Sequence, residues 1–189
     1  MLSVAMRQAY LKELGFYKGE VDGLHGPLTA AAYLDLQKRY FTRKKDIDGI
    51  YGKNTELLLL NAYNVHKYTW NFDLTEFRCQ CGGKHCTGYP VLLDEDLLRN
   101  VQSVRDEYGA TSITSGMRCA THNAAVGGAS GSRHKSGKAV DIYNSKCSTE
   151  AGRKEVMAFW GKLPQQRYTY CNIGGNYPGM GNAVHIDVV

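Results

Sequence analysis

Residues 132–141 read SerArgHisLysSerGlyLysAlaValAsp, and this stretch decides the fold of the C-terminal part of the chain. Gly137 marks a turn, and the run that follows it alternates as a β-strand does. On such a strand Asp141 lies on one face, and its two β-branched neighbours lie on the other. His134, on the loop before the turn, can meet the Asp141 carboxylate. A divalent metal is what such a pair commonly binds.

A third ligand is available at the C-terminus. Residues 183–189, AlaValHisIleAspValVal, also alternate, with His185 and Asp187 on one face and apolar side chains on the other. Two strands with polar centres can converge on one ion. Three protein ligands leave a fourth position open for water, which is typical of a catalytic zinc site. The pattern therefore predicts Zn²⁺ bound by His134, Asp141 and His185.

Five segments in the C-terminal part of the chain share their order and spacing with a known family. They are SerGlyMetArg (115–118), HisAsn (122–123), GlyGly (127–128), SerArgHisLysSerGlyLysAlaValAspIle (132–142) and ValHisIleAspVal (184–188). On these segments, residues 70–189 resemble the zinc D-Ala-D-Ala metallopeptidases, which include D,D-carboxypeptidases and the peptidase domains of many phage endolysins. The resemblance implies hydrolysis of an amide bond in peptidoglycan.

Arg118 is the next candidate for the site. Its guanidinium is always charged, so it can bind a peptide carboxylate or an oxygen that gains charge during attack. The resemblance favours this role, because the family uses the SerGly-x-Arg context beside its metal. We also predict that Ser132 contacts the substrate. Asn123 is included among the substrate-binding candidates, although we expect the HisAsn pair mainly to hold its loop.

The general base is where the chain departs from the family pattern. Many members carry an acidic residue three positions before the last zinc histidine, and some carry a histidine two positions before it. Here those positions hold Asn182 and Ala183, which cannot remove a proton. Asp187 is the nearest carboxylate in the sequence. We therefore predict it to be either the catalytic base or the group that orients a ligand.

The N-terminal third contains an internal repeat. ValAspGlyLeuHisGlyProLeuThr at 21–29 is echoed by IleAspGlyIleTyrGlyLysAsnThr at 47–55. In each copy Asp-Gly predicts a turn, and a helix begins after the second glycine. The apolar periodicity predicts three helices in all, the first of them ended by Gly15.

This third resembles the peptidoglycan-binding domain often found beside wall hydrolases. The resemblance rests on LeuGlyPheTyrLysGlyGluValAspGly (14–23), on Gly26, Thr29, Ala32, Leu36 and Gln37, and on the second turn at 47–55. It implies a wall anchor. Aromatic groups near the turns are the candidate wall-binding residues, although aromatics at helical spacing also suit a core: Phe16, Tyr17, His25 and Tyr51.

The predicted fold class is α+β with two domains. Residues 1–66 form a three-helix peptidoglycan-binding-like domain, and residues 67–189 form a zinc metallopeptidase domain. In the second domain we expect a small, mainly antiparallel sheet flanked by helices. Residues 64–72 show no clear helical period, so they are interpreted as a linker.

Six cysteines lie beyond the N-terminal third, at positions 79, 81, 86, 119, 147 and 171. CysGlnCysGlyGlyLysHisCys, at 79–86, places Cys79, Cys81, His85 and Cys86 close together. A structural zinc site is one interpretation, but the spacing is not the usual Cys-x2-Cys. Disulfides or buried thiols are favoured, and the sequence cannot choose among the pairings.

Composition narrows the function classes. The net charge is +5, and the longest Lys/Arg block is ArgLysLys at 43–45, so no nucleic-acid partner is predicted. No stretch reaches the ~18 apolar residues of a membrane span. The first residues do not resemble a signal peptide. We expect a monomer made in the cytoplasm that acts on the cell wall after release.

Three functions are consistent with the sequence. The first is a lytic zinc peptidase of the phage-endolysin type that cuts stem or cross-link peptides of peptidoglycan. The second is a D-alanyl-D-alanine carboxypeptidase of wall maintenance. The third, from another class, is a non-catalytic peptidoglycan-binding protein, which the missing carboxylate at position 182 would explain.

Overall fold

A computed structural model describes residues 1–189 and confirms the α+β class, with six α-helices and one four-stranded sheet. The helices are α1 (Val4–Glu13), α2 (Pro27–Tyr40), α3 (Lys53–Tyr68), α4 (Glu95–Tyr108), α5 (Ala120–Ala125) and α6 (Glu150–Trp160). The strands are β1 (Thr111–Ser115), β2 (Ala139–Asn144), β3 (Gln166–Cys171) and β4 (Val184–Val188). None of the helices combines the length and apolar character needed to cross a bilayer.

The N-terminal repeat is built around two buried glutamines, one for each Asp-Gly turn. Gln8 in α1 accepts a hydrogen bond from the Gly23 backbone N–H at 2.8 Å and donates to the Asp22 carboxylate at 2.8 Å. Gln37 in α2 makes the matching contacts with the second turn, at Asp48 and Gly49. Both glutamines are fully buried, so each turn is fixed by an amide whose own hydrogen bonds are satisfied.

The sheet places its apolar face against α4 and α6. Its strand order is β1-β2-β4-β3, and all three neighbouring pairs are antiparallel. The inward side chains of β2 and β4 are fully buried: Val140, Ile142, Val184 and Ile186. In the β2–β4 pair Asp141 lies directly opposite His185. The alternation inferred from the sequence is therefore confirmed, and both polar residues share the other face of the sheet.

The predicted linker is wrong in its first half, because α3 continues to Tyr68. Tertiary packing stabilises the end of this helix despite the weak periodicity, because Val65 is buried against the core. Asn61 of α3 donates to the Val91 carbonyl at 2.9 Å and accepts from the Leu93 N–H at 2.8 Å, just before α4. One apolar core runs from Leu11 to Val188 through both halves of the chain. The boundary at residue 66 stays a prediction.

Candidate metal centre and substrate cleft

The three predicted ligands converge at one point on the polar face of the sheet. His134 Nε2 lies 3.3 Å from Asp141 Oδ1, and His185 Nδ1 lies 2.8 Å from the same oxygen. The two histidine nitrogens are 3.3 Å apart. All three residues are buried. The sequence predicted this cluster from strand alternation, and the structure brings it together.

Each histidine is oriented through its second ring nitrogen. His134 Nδ1 lies 2.8 Å from the Gly116 carbonyl oxygen, which can only accept, so Nδ1 carries the proton and Nε2 has its lone pair free. His185 Nε2 lies 3.5 Å from Asp187 Oδ2, so this ring nitrogen faces Asp187 while Nδ1 faces Asp141 Oδ1 at 2.8 Å. These outer contacts are the ones that fix metal-binding histidines in proteins.

Asp187 is held by several donors behind His185. The Tyr168 backbone N–H donates to Asp187 Oδ1 at 2.9 Å, and the Arg167 guanidinium contacts Oδ2 at 3.4 Å. The carboxylate faces His185 Nε2, on the far side of that ring from Asp141 and His134. Of the two roles predicted for Asp187, this placement favours orientation of the ligand over proton removal.

Arg118 lies beside the ligand cluster, at the end of the segment that follows β1. Its Nη2 donates to Asp141 Oδ2 at 2.7 Å and to Ser115 Oγ at 2.8 Å, and its Nε also donates to Ser115 at 3.0 Å. The remaining terminal nitrogen, Nη1, makes no hydrogen bond within the chain. Arg118 therefore has one donor group left for a substrate while it holds the Asp141 carboxylate in place.

Electrostatics keep the central carboxylate charged. Burial acts to raise the pKa of Asp141, but hydrogen bonds and charge from His134 and His185 outweigh it and hold that pKa below its usual range. Burial acts to lower the pKa of His185, and its contacts with Asp141 and Asp187 outweigh this effect and raise the pKa. An anionic oxygen is thus available at the point where both histidine nitrogens meet.

The donor set fits a zinc ion. Two imidazole nitrogens and one carboxylate oxygen are ligands that zinc prefers, and these atoms all lie within 4.8 Å of one another. Three protein ligands are the number found in catalytic sites, where the fourth position takes water or substrate. The predicted zinc cofactor is thus supported by the chemistry of these residues.

A cleft of about 760 Å³ opens over the cluster. Its walls come from the β1–α5 segment, the glycine-rich loop at 126–132 and the loop at 174–182. Ser132 and Arg118 line it, whereas Asn123 does not. Asn123 lies beneath the glycine-rich loop and donates to the Gly128 and Ala129 carbonyls at 3.0 and 2.9 Å, so its position suits holding the loop.

Comparisons with known proteins agree with this geometry. The family model described as Peptidase M15 matches residues 70–172. The chain belongs to the peptidase M15 family. It is also 30% identical, over 193 residues, to the zinc D-Ala-D-Ala carboxypeptidase of Streptomyces albus G, in an alignment that covers 96% of this chain and 71% of that protein. The M15 match includes His134 and Asp141, and β4 with His185 follows it.

The M15 region contains site residues that the sequence did not reveal. The Tyr170 ring stacks on His185, with ring centroids 4.6 Å apart. Ser115 and the Gly116 carbonyl support Arg118 and His134. Tyr170 faces the site because β3 pairs with β4 in a register that sets it opposite His185. Nothing in the sequence fixes that register.

The candidate wall-binding residues lie outside the M15 match. Tyr17 is buried and donates through its hydroxyl to the Glu20 carbonyl at 2.9 Å, which leaves no open face for a sugar ring. Phe16 and Tyr51 are half-buried and pack against the core. His25 alone of the four is exposed, with its ring 5.9 Å from that of Tyr33. Wall binding stays a prediction, and this placement favours His25 over the others.

Proposed function

We propose that this M15 chain is a zinc peptidase that hydrolyses an amide bond in the stem or cross-link peptides of peptidoglycan. The observation that carries the proposal is the convergence of His134, Asp141 and His185 at the floor of an open cleft, with each histidine oriented by a group behind it. These three residues would hold the ion. When bound, zinc supplies the Lewis acidity that makes water a nucleophile near neutral pH.

The residues around the ligands would position the substrate. Arg118 Nη1 would donate to the scissile carbonyl oxygen or to a nearby carboxylate, because its other nitrogens are already fixed by Ser115 and Asp141. Asp187 would keep His185 in the tautomer that leaves Nδ1 free. Ser132 and Tyr177, on opposite loops, would contact the peptide on either side of the cleft.

The first candidate reaction is cleavage within a peptide, as a lytic enzyme of the phage-endolysin type performs it. A cleft whose walls come from three separate loops suits an extended peptide that continues past the cut bond. In this account the N-terminal helices would anchor the protein to the wall, with His25 as the exposed candidate contact. The sequence resemblance described above supports this part of the proposal.

The second candidate reaction is removal of a terminal D-alanine. The similarity to a zinc D-Ala-D-Ala carboxypeptidase favours it. A terminal carboxylate also needs a cationic partner, and the cleft offers Arg118, Arg133 and Arg167. The two candidates use the same metal centre and differ in whether the peptide ends one residue beyond the cut bond or continues further.

Digestion of purified peptidoglycan, followed by mass spectrometry of the products, tests the proposal. We expect chelator-sensitive products from wild type and none from His134→Ala. New amino termini inside the stem or cross-link identify the endopeptidase, and free D-alanine identifies the carboxypeptidase. Asp35→Asn, at an exposed position in α2, is the matched control and should leave the products unchanged.

One outcome would overturn the proposal. If wild type gives no chelator-sensitive product from several wall types and still sediments with the wall, the chain is a binding protein without catalysis. That result would revive the third interpretation of the sequence, in which Asn182 in place of a carboxylate marks an inactive site.

A further inference from the structure

A second group of metal-binding side chains lies outside the cleft. The Sγ atoms of Cys79, Cys81, Cys86 and Cys119 all lie within 4.8 Å of one another. The first three come from the loop before α4, and Cys119 comes from 40 residues after Cys79, immediately before α5. His85, which the sequence placed in this cluster, is exposed and does not belong to it.

The spacing of the sulfur atoms suits metal coordination. The Cys81 and Cys86 Sγ atoms are 3.5 Å apart, and all four thiols are free. A tetrahedral zinc site with Zn–S bonds of about 2.3 Å places its sulfurs roughly 3.8 Å from one another. Two disulfides would instead join the sulfurs in pairs at about 2.05 Å. Four sulfurs gathered around one point match the first arrangement.

The backbone of the loop is shaped to bring these sulfurs together. Gly82 and Gly83 have φ angles of +61° and +80°, so the chain turns sharply straight after Cys81. The Cys79 N–H donates to the Gly88 carbonyl at 2.7 Å, which closes the loop. The Cys119 N–H donates to Cys79 Sγ at 3.3 Å. Such a donor stabilises a sulfur that carries negative charge.

We propose that Cys79, Cys81, Cys86 and Cys119 bind a second zinc ion. Four thiolates complete a tetrahedral shell and leave no position for water, so this ion is structural and takes no part in hydrolysis. Soft sulfur ligands in a tetrahedral set select zinc over hard divalent cations such as Mg²⁺ or Ca²⁺. The site is separate from the three-ligand cluster and needs no residue of it.

The position of this site explains what the ion would do. Cys119 follows Arg118 directly, and the Arg118 N–H donates to the His134 carbonyl at 3.0 Å. On its other side the loop contacts the segment that follows α2, where Thr42 donates from its N–H and its hydroxyl to the Thr87 carbonyl, each at 3.2 Å. The ion would therefore tie the N-terminal helices to the segment that carries Arg118.

Metal content of the full-length protein, purified under reducing conditions, is the first test. We expect about two zinc ions per chain in wild type and about one in a His134→Ala/His185→Ala double variant. About one in both proteins would mean that the three-ligand cluster does not hold zinc, which contradicts the proposed function and leaves the cysteine site standing. About one in wild type and none in the double variant would overturn the cysteine site.

Substitution with Co²⁺ gives a second readout, independent of activity. Thiolate ligands produce sulfur-to-cobalt charge-transfer absorption in the near ultraviolet, which histidine and carboxylate ligands do not. We expect this absorption in wild type and, undiminished, in the double-histidine variant, and its loss or marked weakening in Cys119→Ser. Cys171→Ser, at a buried cysteine outside the cluster, is the matched control and should keep it.

Two spectroscopic results would contradict the proposed cysteine site. One is an absence of charge-transfer absorption in wild type, and the other is equal absorption in Cys119→Ser and Cys171→Ser. If Cys119→Ser does not fold, the wild-type zinc count and cobalt spectrum still decide the question. Intact-mass analysis without reductant that finds disulfides among the four cysteines of freshly purified, metal-replete protein would contradict the proposal as well.

Discussion

Asp141 contacts both histidine ligands and Arg118, and so lies at the centre of the metal site. It faces His134 and His185 with one oxygen and accepts from Arg118 with the other. Each histidine is in turn fixed by a group behind it, the Gly116 carbonyl or the Asp187 carboxylate. At the scale of single residues, these contacts orient the ligands. Loss of an orienting contact should weaken zinc binding, whereas loss of a catalytic base should lower only the rate of hydrolysis.

Asp187→Asn separates the two roles of Asp187. If the carboxylate orients His185, the variant should bind zinc roughly 10- to 100-fold more weakly, and excess zinc should restore most of the activity. The measurements are zinc affinity by chelator competition and kcat as a function of free zinc. Asp187 would instead be the base if zinc affinity were unchanged while kcat stayed low at saturating zinc. Asp35→Asn serves as the control.

Arg118→Lys tests the guanidinium. Lysine carries its three donors on a single nitrogen, so it cannot reproduce the separate contacts of Arg118 with Ser115 and Asp141 and also place a donor where Nη1 lies. We expect kcat/KM to fall by about 10²–10³ while zinc content stays close to that of wild type. Steady-state kinetics on a stem peptide, with zinc analysis of the same sample, measures both. A change in kcat/KM smaller than about threefold would remove Arg118 from the mechanism.

At the scale of elements, the turn between His134 and Asp141 controls the site. Gly137 has φ +73°, and a Cβ there would lie 1.9 Å from the Leu92 carbonyl oxygen. Gly137→Ala should therefore lower the free energy of unfolding by about 3 kcal/mol or more. Gly131→Ala, which has open space and no positive φ, should change it by less than about 0.5 kcal/mol.

Denaturant unfolding of both glycine variants, with the metal state matched, measures this difference. Equal stability of Gly137→Ala and Gly131→Ala would show that the turn relaxes freely. In that case the geometry between His134 and Asp141 would not depend on the close approach of the Leu92 carbonyl.

Elements with a strong local pattern could be predicted from the sequence. The sequences of β2 and β4 alternate polar with apolar residues around Asp141 and His185, so these two ligands and their shared face could be predicted. The end of α3 was missed because Val65 is helical through packing against the core, which leaves little local signal. Cys119 was missed as a partner of Cys79 because only the fold joins residues that distant. The sequence did not show that Gln8 holds the first Asp-Gly turn, because its partners Asp22 and Gly23 are brought to it only by the fold.

At the scale of the whole molecule, the N-terminal helices and the M15 region share one core. The fully buried Asn61 side chain joins them through the Val91 carbonyl and the Leu93 N–H. Asn61→Ala would leave the buried Leu93 N–H and the half-buried Val91 carbonyl without this partner and should destabilise the protein by about 2–4 kcal/mol. We expect amide hydrogen exchange to accelerate equally in α2 and in β4, because both halves would unfold together.

Asn54→Ala, at an exposed position of the same helix, is the control and should leave exchange unchanged in both elements. Faster exchange in α2 alone, with β4 still protected in Asn61→Ala, would contradict a shared core. It would support instead the two independent domains, with a boundary at residue 66, that the sequence suggested.

Diffraction from crystals of the zinc-loaded protein, recorded at wavelengths on both sides of the zinc absorption edge, would locate each bound zinc ion. We predict an anomalous peak about 2.0–2.2 Å from His134 Nε2, an Asp141 carboxylate oxygen and His185 Nδ1. The cysteine cluster should give a second peak and show that zinc was available to the crystal. A peak at the cysteines with none between His134, Asp141 and His185 would contradict the metal centre, and with it the peptidase mechanism.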